Sequence, residues 1–155
     1  MIQLIPKTEK EFQAYLKEET ARYAEASVKA GYWKKTEALE KSIEAHNQLL
    51  PQGIATPRHH LFTIKTNNNK SIGTIWITED HRSETPAGFI YDLFIKEPYR
   101  DKGLATQAML LLEEKAKQLG LKMLYLHVFA FNTNAKHLYE KLGYQITSIM
   151  MAKQL

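Results

Sequence analysis

Cysteine is absent from this 155-residue sequence. That absence excludes a disulfide framework, a thiolate metal site and a cysteine nucleophile, and it is consistent with a cytoplasmic location. No apolar run approaches the roughly 18 residues of a membrane-spanning helix. The first residues also lack the long apolar core of a signal peptide. We therefore expect no membrane partner.

A dense block of lysine or arginine is also missing, although the net charge is +4. The mild positive excess favours anionic ligands in general, but without a basic patch or a recognition motif we expect no nucleic-acid partner. Apolar residues make up 44% of the chain and charged residues 25%, which is ordinary globular usage. The length suits a single domain, residues 1–155, with its own core.

The first half of the chain predicts a strand followed by two helices. Residues 2–5 are apolar and precede a proline, as in a short strand. Thr8 and Glu11 have the spacing of a capping box, which predicts a helix to about residue 30. Thr36 can cap a second helix, whose inner stripe would be Leu39, Ile43 and Leu50.

The second half of the chain begins with the strand-like alternation of apolar and polar residues. Residues 61–64 and 72–78 predict a hairpin around the turn at residues 67–70, with Gly73 marking a bulge or a close approach. A strand at 89–95, a helix from 104 to 119, a strand at 123–129, a short helix after Asn132 and a final strand at 144–151 follow. The order β-α-α-β-β-β-α-β-α-β predicts an α/β fold with a mixed, mainly antiparallel sheet.

The loop between the fourth strand and the third helix is the first candidate site. It reads Arg-Asp-Lys-Gly-Leu-Ala at positions 100–105. Backbone N–H groups and the helix dipole favour an anion at such a junction, most often phosphate. The loop is neither a Walker A motif nor a dinucleotide fingerprint. Taken alone, it is more often a basic turn that precedes a helix.

A second motif follows about thirty residues later, at positions 132–144, and reads N-x-x-A-x-x-L-Y-E-K-L-G-Y. Together with P-Y-R-D-K-G-L-A at positions 98–105 and the order of elements, it resembles the GCN5-related N-acetyltransferase (GNAT) superfamily over nearly the whole chain. The resemblance implies a sheet whose fourth and fifth strands splay apart. It also implies acetyl-coenzyme A as cosubstrate and direct transfer of an acetyl group to a primary amine.

The resemblance also implies roles for particular residues. The strand residues Leu93, Phe94 and Ile95 would pair with the pantetheine arm. Asn132 would contact that arm or cap its helix, and Tyr139 would protonate the departing thiolate. The pyrophosphate would be wrapped by the backbone of Arg100, Asp101, Lys102, Gly103, Leu104 and Ala105. Asp101 departs from the glycine that is more usual there, and its carboxylate would have to turn outward from the phosphates.

The base that deprotonates the acceptor amine is less well located. Asp92 and His127 are candidates, and for each the alternative is a structural hydrogen bond. Strict alternation puts Asp92 on the face of Ile90 and Phe94. His59 and His60 lack a third ligand at metal-site spacing, so we expect no metal.

Tyr32 and Trp33, in the break between the first two helices, are the candidate acceptor contacts, with packing against the sheet as the alternative; Trp76 is expected in the core. Small amines, polyamines and peptides all remain as acceptors. The net positive charge disfavours a strongly cationic one unless glutamates concentrate near the cleft, namely Glu18, Glu19, Glu25 or Glu37. A non-catalytic acyl-coenzyme A sensor or partner module is the alternative function.

The segment after Gly143 departs from the usual family pattern of two final strands. Twelve residues follow Gly143, so the two strands are expected to be shortened or merged through Ser148. This would leave a more open acceptor cleft, or a second subunit would complete it, so a homodimer is possible.

Overall fold

The computed structural model describes residues 1–155 and contains a five-stranded sheet with helices on both faces. The strands are β1 (Ile2–Pro6), β2 (His59–Thr66), β3 (Ser71–Asp80), β4 (Ala87–Ile95) and β5 (Met123–Leu126). The helices are α1 (Glu9–Lys29), α2 (Ala38–Leu49), α3 (Leu104–Gln118) and α4 (Thr133–Lys141). Strands lie in chain order, antiparallel except for the parallel β4–β5 pair. The α/β class and the mainly antiparallel sheet are confirmed.

Local sequence signals explain several of these boundaries. The Thr8 side chain accepts a hydrogen bond from the Glu11 amide, and the Glu11 side chain accepts one from the Thr8 amide, so the capping box forms as expected. The β2–β3 turn places Asn69 at φ +62°. Gly73 meets the expectation of a close approach, because a Cβ there would lie 2.2 Å from the Phe94 carbonyl oxygen.

The two faces of the sheet bury different cores. One face packs against α3 through aliphatic side chains such as Ile64, Ile75 and Leu112. The other packs against α1 through a smaller aromatic cluster that includes Phe12, Tyr15 and Trp76. Trp76 is 1% exposed, as expected for a core residue. The β4 strand therefore separates two distinct environments, one on each side.

The expected inner face of α2 was wrong at two of its three residues, since only Leu50, at the end of the helix, is buried. Leu39 and Ile43 are 52% and 43% exposed, whereas Ala38, Ser42 and His46 are buried. Small and polar groups make the contact with α1 instead, since the Ser42 hydroxyl donates to the Thr20 carbonyl over 2.7 Å. Thr36 is not the cap either: the helix begins after Glu37, whose carboxylate accepts from the Lys34 amide.

The expected final strand does not form. Residues 144–151 contain no strand, and from residue 145 onward the chain makes no backbone–backbone hydrogen bond. The β5 strand is also shorter than the expected 123–129, because its only neighbour, β4, pairs with it no further than Leu126. A strand needs a partner for its N–H and C=O groups, and neither segment has one there. No helix combines the length and apolar character needed to cross a membrane.

Candidate active site

The splay between β4 and β5 opens a cleft. The two strands pair only where Ala87–Ile90 lies beside Met123–Leu126. Beyond Ile90, β4 continues along β3 to Ile95 while its other edge has no neighbour. A cavity of about 320 Å³ lies between this edge, the loop before α3, and α4. The separation of the central strands is therefore observed, and it exposes main-chain polar groups to a ligand.

The loop that precedes α3 presents a row of free donors at one end of the cleft. None of the six amide N–H groups from Asp101 to Thr106 donates to an acceptor within the protein. The first turn of a helix leaves such N–H groups without intrahelical partners, and here no side chain caps them. Asp101 at φ +61° and Gly103 at φ +74° shape the loop. Successive amides in a turn of this kind, next to a helix start, form an anion site.

Side chains of the loop divide between the cleft and solvent. Asp101, Gly103, Leu104 and Ala105 line the cleft, whereas Lys102 is exposed and does not. The Arg100 Nε atom donates to the Ile95 carbonyl over 2.7 Å, which ties the start of the loop to the end of β4. A Cβ on Gly103 would meet nothing within 4 Å, so space remains over this backbone.

The strand residues expected beside the pantetheine arm do not all face the cleft. Leu93 and Ile95 line it. Phe94 points to the opposite face, where the Arg22 guanidinium lies 3.8 Å from its ring centroid. Only the backbone of Phe94 is therefore available on the cleft side.

Tyr139 and Asn132 occupy different places on α4. Tyr139 lines the cleft with Leu138 and Ala135. Burial, together with the nearby charge of Asp92, raises the pKa of Tyr139 to about 12. The phenol therefore stays protonated at neutral pH. The Asn132 side chain accepts from the Ala135 amide over 3.3 Å and caps α4, and it does not line the cleft.

A bulge in β4 decides where Asp92 points. Trp76 pairs with Asp92 and Ile77 with Ile90, so Tyr91 is the extra residue. An extra residue shifts the alternation of side chains by one position. Ile90 consequently faces the α3 side, and Asp92 faces α1 beside Phe94 and Trp76. The expectation that Asp92 shares a face with Ile90 was wrong for this reason, whereas its pairing with Phe94 was right.

Asp92 belongs to a polar cluster at the surface of the aromatic core. The Tyr15 hydroxyl donates to Asp92 Oδ2 over 2.8 Å. Arg22 Nη2 lies 2.8 Å from Glu19 Oε2 and 3.8 Å from Asp92 Oδ2. Glu19 also lies against Asp92. The Glu19 and Asp92 side chains are only 10% and 17% exposed, so two carboxyl groups share one poorly solvated place.

This environment perturbs both carboxyl groups in the same direction. Burial, and then the charge of Asp92, raises the pKa of Glu19 to about 9. Burial also raises the pKa of Asp92, opposed by hydrogen bonds from Glu19 and Tyr15 and by the charge of Arg22. Two carboxylates this close cannot both ionise cheaply. At neutral pH Glu19 therefore keeps its proton and can donate it to the Asp92 carboxyl group.

Aromatic side chains from the second half of α1, the break after it and the segment after β5 pack together. Tyr23 contacts Trp33 and Phe129 edge-on or tilted, with ring centroids 5.6 and 6.3 Å away. Tyr32 is 51% exposed, and its ring lies 6.3 Å from that of Phe129. Of the two aromatics selected from sequence, Tyr32 thus lies beside Phe129, which follows β5, whereas Trp33 contacts Tyr23.

The second candidate base, His127, is not part of the polar cluster. It is exposed, and its ring packs edge-on against Phe129 at 5.1 Å. His59 Nδ1 accepts a hydrogen bond from the indole of Trp76, and His60 contacts Glu79, so neither histidine is a free ligand. No group of three metal-ligating side chains occurs in the structure.

Tyr15 and Arg22 were not identified from sequence, and Glu19 was named only as one of four glutamates. A signal was present, because Tyr15, Glu19 and Arg22 are spaced by four and three residues. That spacing puts them on one helix face, and α1 buries Phe12 and Tyr15 on the same side as Glu19. A glutamate at an inward position is the mark of a buried, partnered charge.

Comparison with known proteins identifies the class. The family model described as the acetyltransferase (GNAT) family matches residues 13–144. The chain therefore belongs to the GNAT family, and it is an acetyltransferase of that type. The splayed strands and the free loop amides are the features that its sequence resemblance implied.

Three relatives illustrate the range of similarity. YycN of Bacillus subtilis, described as an uncharacterized N-acetyltransferase, is 42% identical over 99% of both chains. Its crystal structure has a TM-score of 0.97, covering 100% of this chain and 99% of that one. YdgE of the same bacterium is 37% identical over 96% of this chain and 94% of its own. The L-ornithine N5-acetyltransferase NATA1 of Arabidopsis thaliana is 34% identical over 58 residues, 37% of this chain and 25% of its own.

Proposed function

We propose that this acetyltransferase transfers the acetyl group of acetyl-coenzyme A directly to a primary amine. The observation that carries the proposal is the row of six free amide N–H groups, from Asp101 to Thr106, at the mouth of the cleft along β4. These N–H groups can donate hydrogen bonds to the oxygens of a diphosphate. The open edge of β4 next to them offers unpaired main-chain groups for an extended arm that carries amides of its own.

The donor side of the cleft would bind acetyl-coenzyme A and orient it. The amides of residues 101–106 would hold the pyrophosphate, and the edge of β4 around Leu93 and Ile95 would align the arm along the cleft. When bound, acetyl-coenzyme A supplies an activated acyl group as a thioester. Tyr139 lines the same cleft and keeps its proton at neutral pH because burial raises the pKa of its phenol. It can therefore donate that proton to a departing thiolate.

Asp92 is the base that the geometry supports best. An alkyl ammonium has to lose a proton before its nitrogen can attack a thioester. A carboxylate whose pKa is raised by burial is a better acceptor for that proton than an exposed one. Glu19 and Tyr15 hold the Asp92 carboxylate in place by hydrogen bonds. His127, exposed and outside this cluster, has no comparable surroundings.

Direct transfer agrees with the side chains that are present. The chain contains no cysteine to carry a covalent acyl group. Holding the amine and the thioester together can itself supply about 7–11 kcal/mol through proximity. On this proposal the protein does three things: it positions two substrates, it takes a proton at Asp92 and it gives one from Tyr139.

The acceptor is proposed to be a cation. Glu18, Glu19 and Asp92 all lie within 4 Å of the Arg22 guanidinium, which stacks on Phe94. Even with the proton kept by Glu19, the acidic groups here outnumber the one guanidinium, so the place attracts a further positive group. This outweighs the overall positive charge, which acts at longer range. NATA1 is named for acetylating the N5 amine of ornithine, which is also an alkyl amine. Small amines and polyamines are therefore preferred over peptides.

Two assays test the proposal. Thermal unfolding with and without acetyl-coenzyme A should show stabilisation, because a ligand that binds only the folded state raises its stability. Thiol release is then measured with a panel of polyamines, amino acids with side-chain amines, aminoglycosides and short peptides. Stabilisation without thiol release on any amine would favour a non-catalytic acyl-coenzyme A sensor. We also propose a cytoplasmic location, which the cysteine-free composition supports.

A further inference from the structure

One buried histidine has a ring nitrogen without a partner in the protein. His46 lies on the inner side of α2 and is 5% exposed. Its Nδ1 atom lies 2.8 Å from the Ser42 carbonyl oxygen, one turn earlier in the same helix. Because a carbonyl oxygen only accepts, Nδ1 carries the ring proton, and Nε2 of the neutral ring has a free lone pair. No side chain or backbone group donates to that nitrogen.

The free nitrogen of His46 is open to a ligand. Buried polar atoms nearly always have a hydrogen-bond partner. The only side-chain atoms that are sealed from solvent without one are Glu113 Oε2 and the Tyr144 hydroxyl oxygen. His46 Nε2 is therefore still reached by solvent, although the rest of the side chain is enclosed. A position of this kind can receive a polar group of a bound molecule.

The His46 ring extends toward Asp92. Its bond to Ser42 points back along α2, so Nε2 points away from that helix. The ring packs edge-on against Tyr23 of α1, with centroids 5.7 Å apart, and lies 5.9 Å from the ring of Trp76 on β3. Trp76 pairs directly with Asp92 on β4, and both side chains lie on the α1 face of the sheet. His46 therefore borders the place where the proposed base lies.

The surroundings of His46 keep its imidazole neutral. Burial lowers the pKa of His46 below its usual 6.5, opposed by the bond to the Ser42 carbonyl and by the charge of Asp92. A charge on His46 would in turn lower the pKa of Asp92. Asp92 is the charged group that acts on the ring, while α1 contributes the phenol of Tyr23 and β3 the indole of Trp76. At neutral pH the lone pair on Nε2 can therefore accept a proton.

The proposed reaction needs two proton acceptors, because two protons leave the nitrogen when a primary ammonium becomes an amide. Asp92 can take the first proton, before the nitrogen attacks. The second proton leaves after the N–C bond has formed, when the nitrogen is positively charged and Asp92 already holds a proton. Glu19 cannot take it, because Glu19 keeps its own proton at neutral pH.

We propose that His46 is the second acceptor, with Nε2 taking the proton from the acceptor nitrogen directly or through one water. The N–H bond breaks and its electron pair stays on the nitrogen. The C–S bond breaks with its electron pair on the sulfur, which takes the proton of Tyr139. Asp92 and the His46 imidazolium then release their protons to water, and the Tyr139 phenolate takes one back, so one proton is released overall. This inference rests on the proposed function.

The first test measures the histidine without any turnover. NMR titration of the imidazole in the full chain should show His46 with its proton on Nδ1 and a pKa below 6.5. Asp92→Asn should lower that pKa further, because it removes the nearby negative charge. His59, whose Nδ1 accepts from the Trp76 indole, is the internal control, and its pKa should not move. A His46 pKa that Asp92→Asn leaves unchanged would overturn the proposal.

The second test separates the base from the contact within the helix. His46→Asn places an amide N–H where Nδ1 donates to Ser42 but has no basic nitrogen, so kcat should fall roughly 10²-fold with the best amine of the panel. The wild-type kcat should also fall as the pH drops below the pKa of His46, and this dependence should be absent from His46→Asn. His59→Asn, which keeps an acceptor for the Trp76 indole, is the matched control and should keep the wild-type kcat.

The outcomes separate the role of His46 from the proposed function. If His46→Asn lowers the melting temperature but keeps the wild-type kcat and pH profile, His46 only packs α2 against its neighbours, and the proposal is wrong. If the variant does not fold, the NMR titration decides alone. Absence of thiol release with every amine contradicts the proposed function itself, whereas an unmoved His46 pKa contradicts only the role of His46.

Discussion

The two faces of β4 present different chemical groups. On the α3 side, the candidate donor site consists of backbone: free loop amides and an unpaired strand edge. On the α1 side, the candidate acceptor site consists of side chains: two carboxyl groups, a phenol and a guanidinium. Backbone donors tolerate many sequences as long as the turn is kept, whereas a side-chain cluster is lost with a single substitution. We therefore expect substitutions on the two sides to have different signatures.

The largest effect is expected on the acceptor side, from Asp92→Asn. Asparagine keeps an oxygen for the Tyr15 hydroxyl but cannot take a proton, so kcat/KM should fall by roughly 10²–10⁴. Acetyl-coenzyme A should still raise the melting temperature to the same degree. Glu114→Gln, at a carboxylate that is 65% exposed on α3, is the control and should leave turnover unchanged. If His127→Ala lowers turnover more than Asp92→Asn does, the base lies at His127 instead.

Next in size is the loss of the proton donor on the donor side. Tyr139→Phe removes the hydroxyl and keeps the ring, so kcat should fall by about 10- to 100-fold while the dissociation constant of coenzyme A stays nearly the same. Single-turnover kinetics and titration of coenzyme A measure the two quantities separately. Unchanged values of both would show that Tyr139 has only a packing role.

A third substitution examines the shared proton. The pKa of Glu19 is raised from 4.5 to about 9, so the folded state holds a proton that the unfolded chain has lost. The contribution of Glu19 to stability is therefore present below pH 4.5 and is lost as the pH rises toward 9. Glu19→Gln should remove a slope of at most about 1.4 kcal/mol per pH unit in this window. Urea unfolding at several pH values measures it, and equal slopes in both proteins would contradict the proton-sharing pair.

The smallest effect is expected in the donor loop, because only its backbone is proposed to contact the ligand. Gly103→Ala and Gly120→Ala both place a Cβ at positive φ, +74° and +81°, with nothing within 4 Å. Each should cost about 1–2 kcal/mol of stability. Only Gly103→Ala should also raise the KM for acetyl-coenzyme A, by about tenfold at most, because only Gly103 lines the cleft. Equal KM values in the two variants would argue against pyrophosphate at this loop.

Sequence reasoning worked where local rules decide the structure. Residues that are neighbours in the chain decide the capping box at Thr8, the hairpin turn at Asn69 and the order of elements through α4. The loop that lines the candidate donor cleft could be selected for the same reason, since the loop and the helix start are continuous in the chain; its role as the donor site stays a prediction.

Long-range packing decided the features that were missed. The small and polar residues of α2, such as Ser42, contact α1, and this turns Leu39 and Ile43 outward. The final strand expected at residues 144–151 has no strand to pair with. The hydrophobic pattern of a segment does not show whether a partner strand lies beside it. The direction of Asp92 depends on a bulge at Tyr91 opposite Trp76 and Ile77. The alternation of side chains along one strand does not reveal an extra residue that has no partner on the paired strand.

The bulge at Tyr91 also sets the order of side chains along the end of β4. Without the extra residue, alternation would turn Asp92 to the α3 side and Leu93 to the α1 side. With it, Asp92 contacts Tyr15 and the next residue, Leu93, lines the cleft. A single residue that β3 does not match thus gives two consecutive side chains to two different environments, one polar beside α1 and one apolar beside α4. Deleting it would exchange the two side chains between those environments.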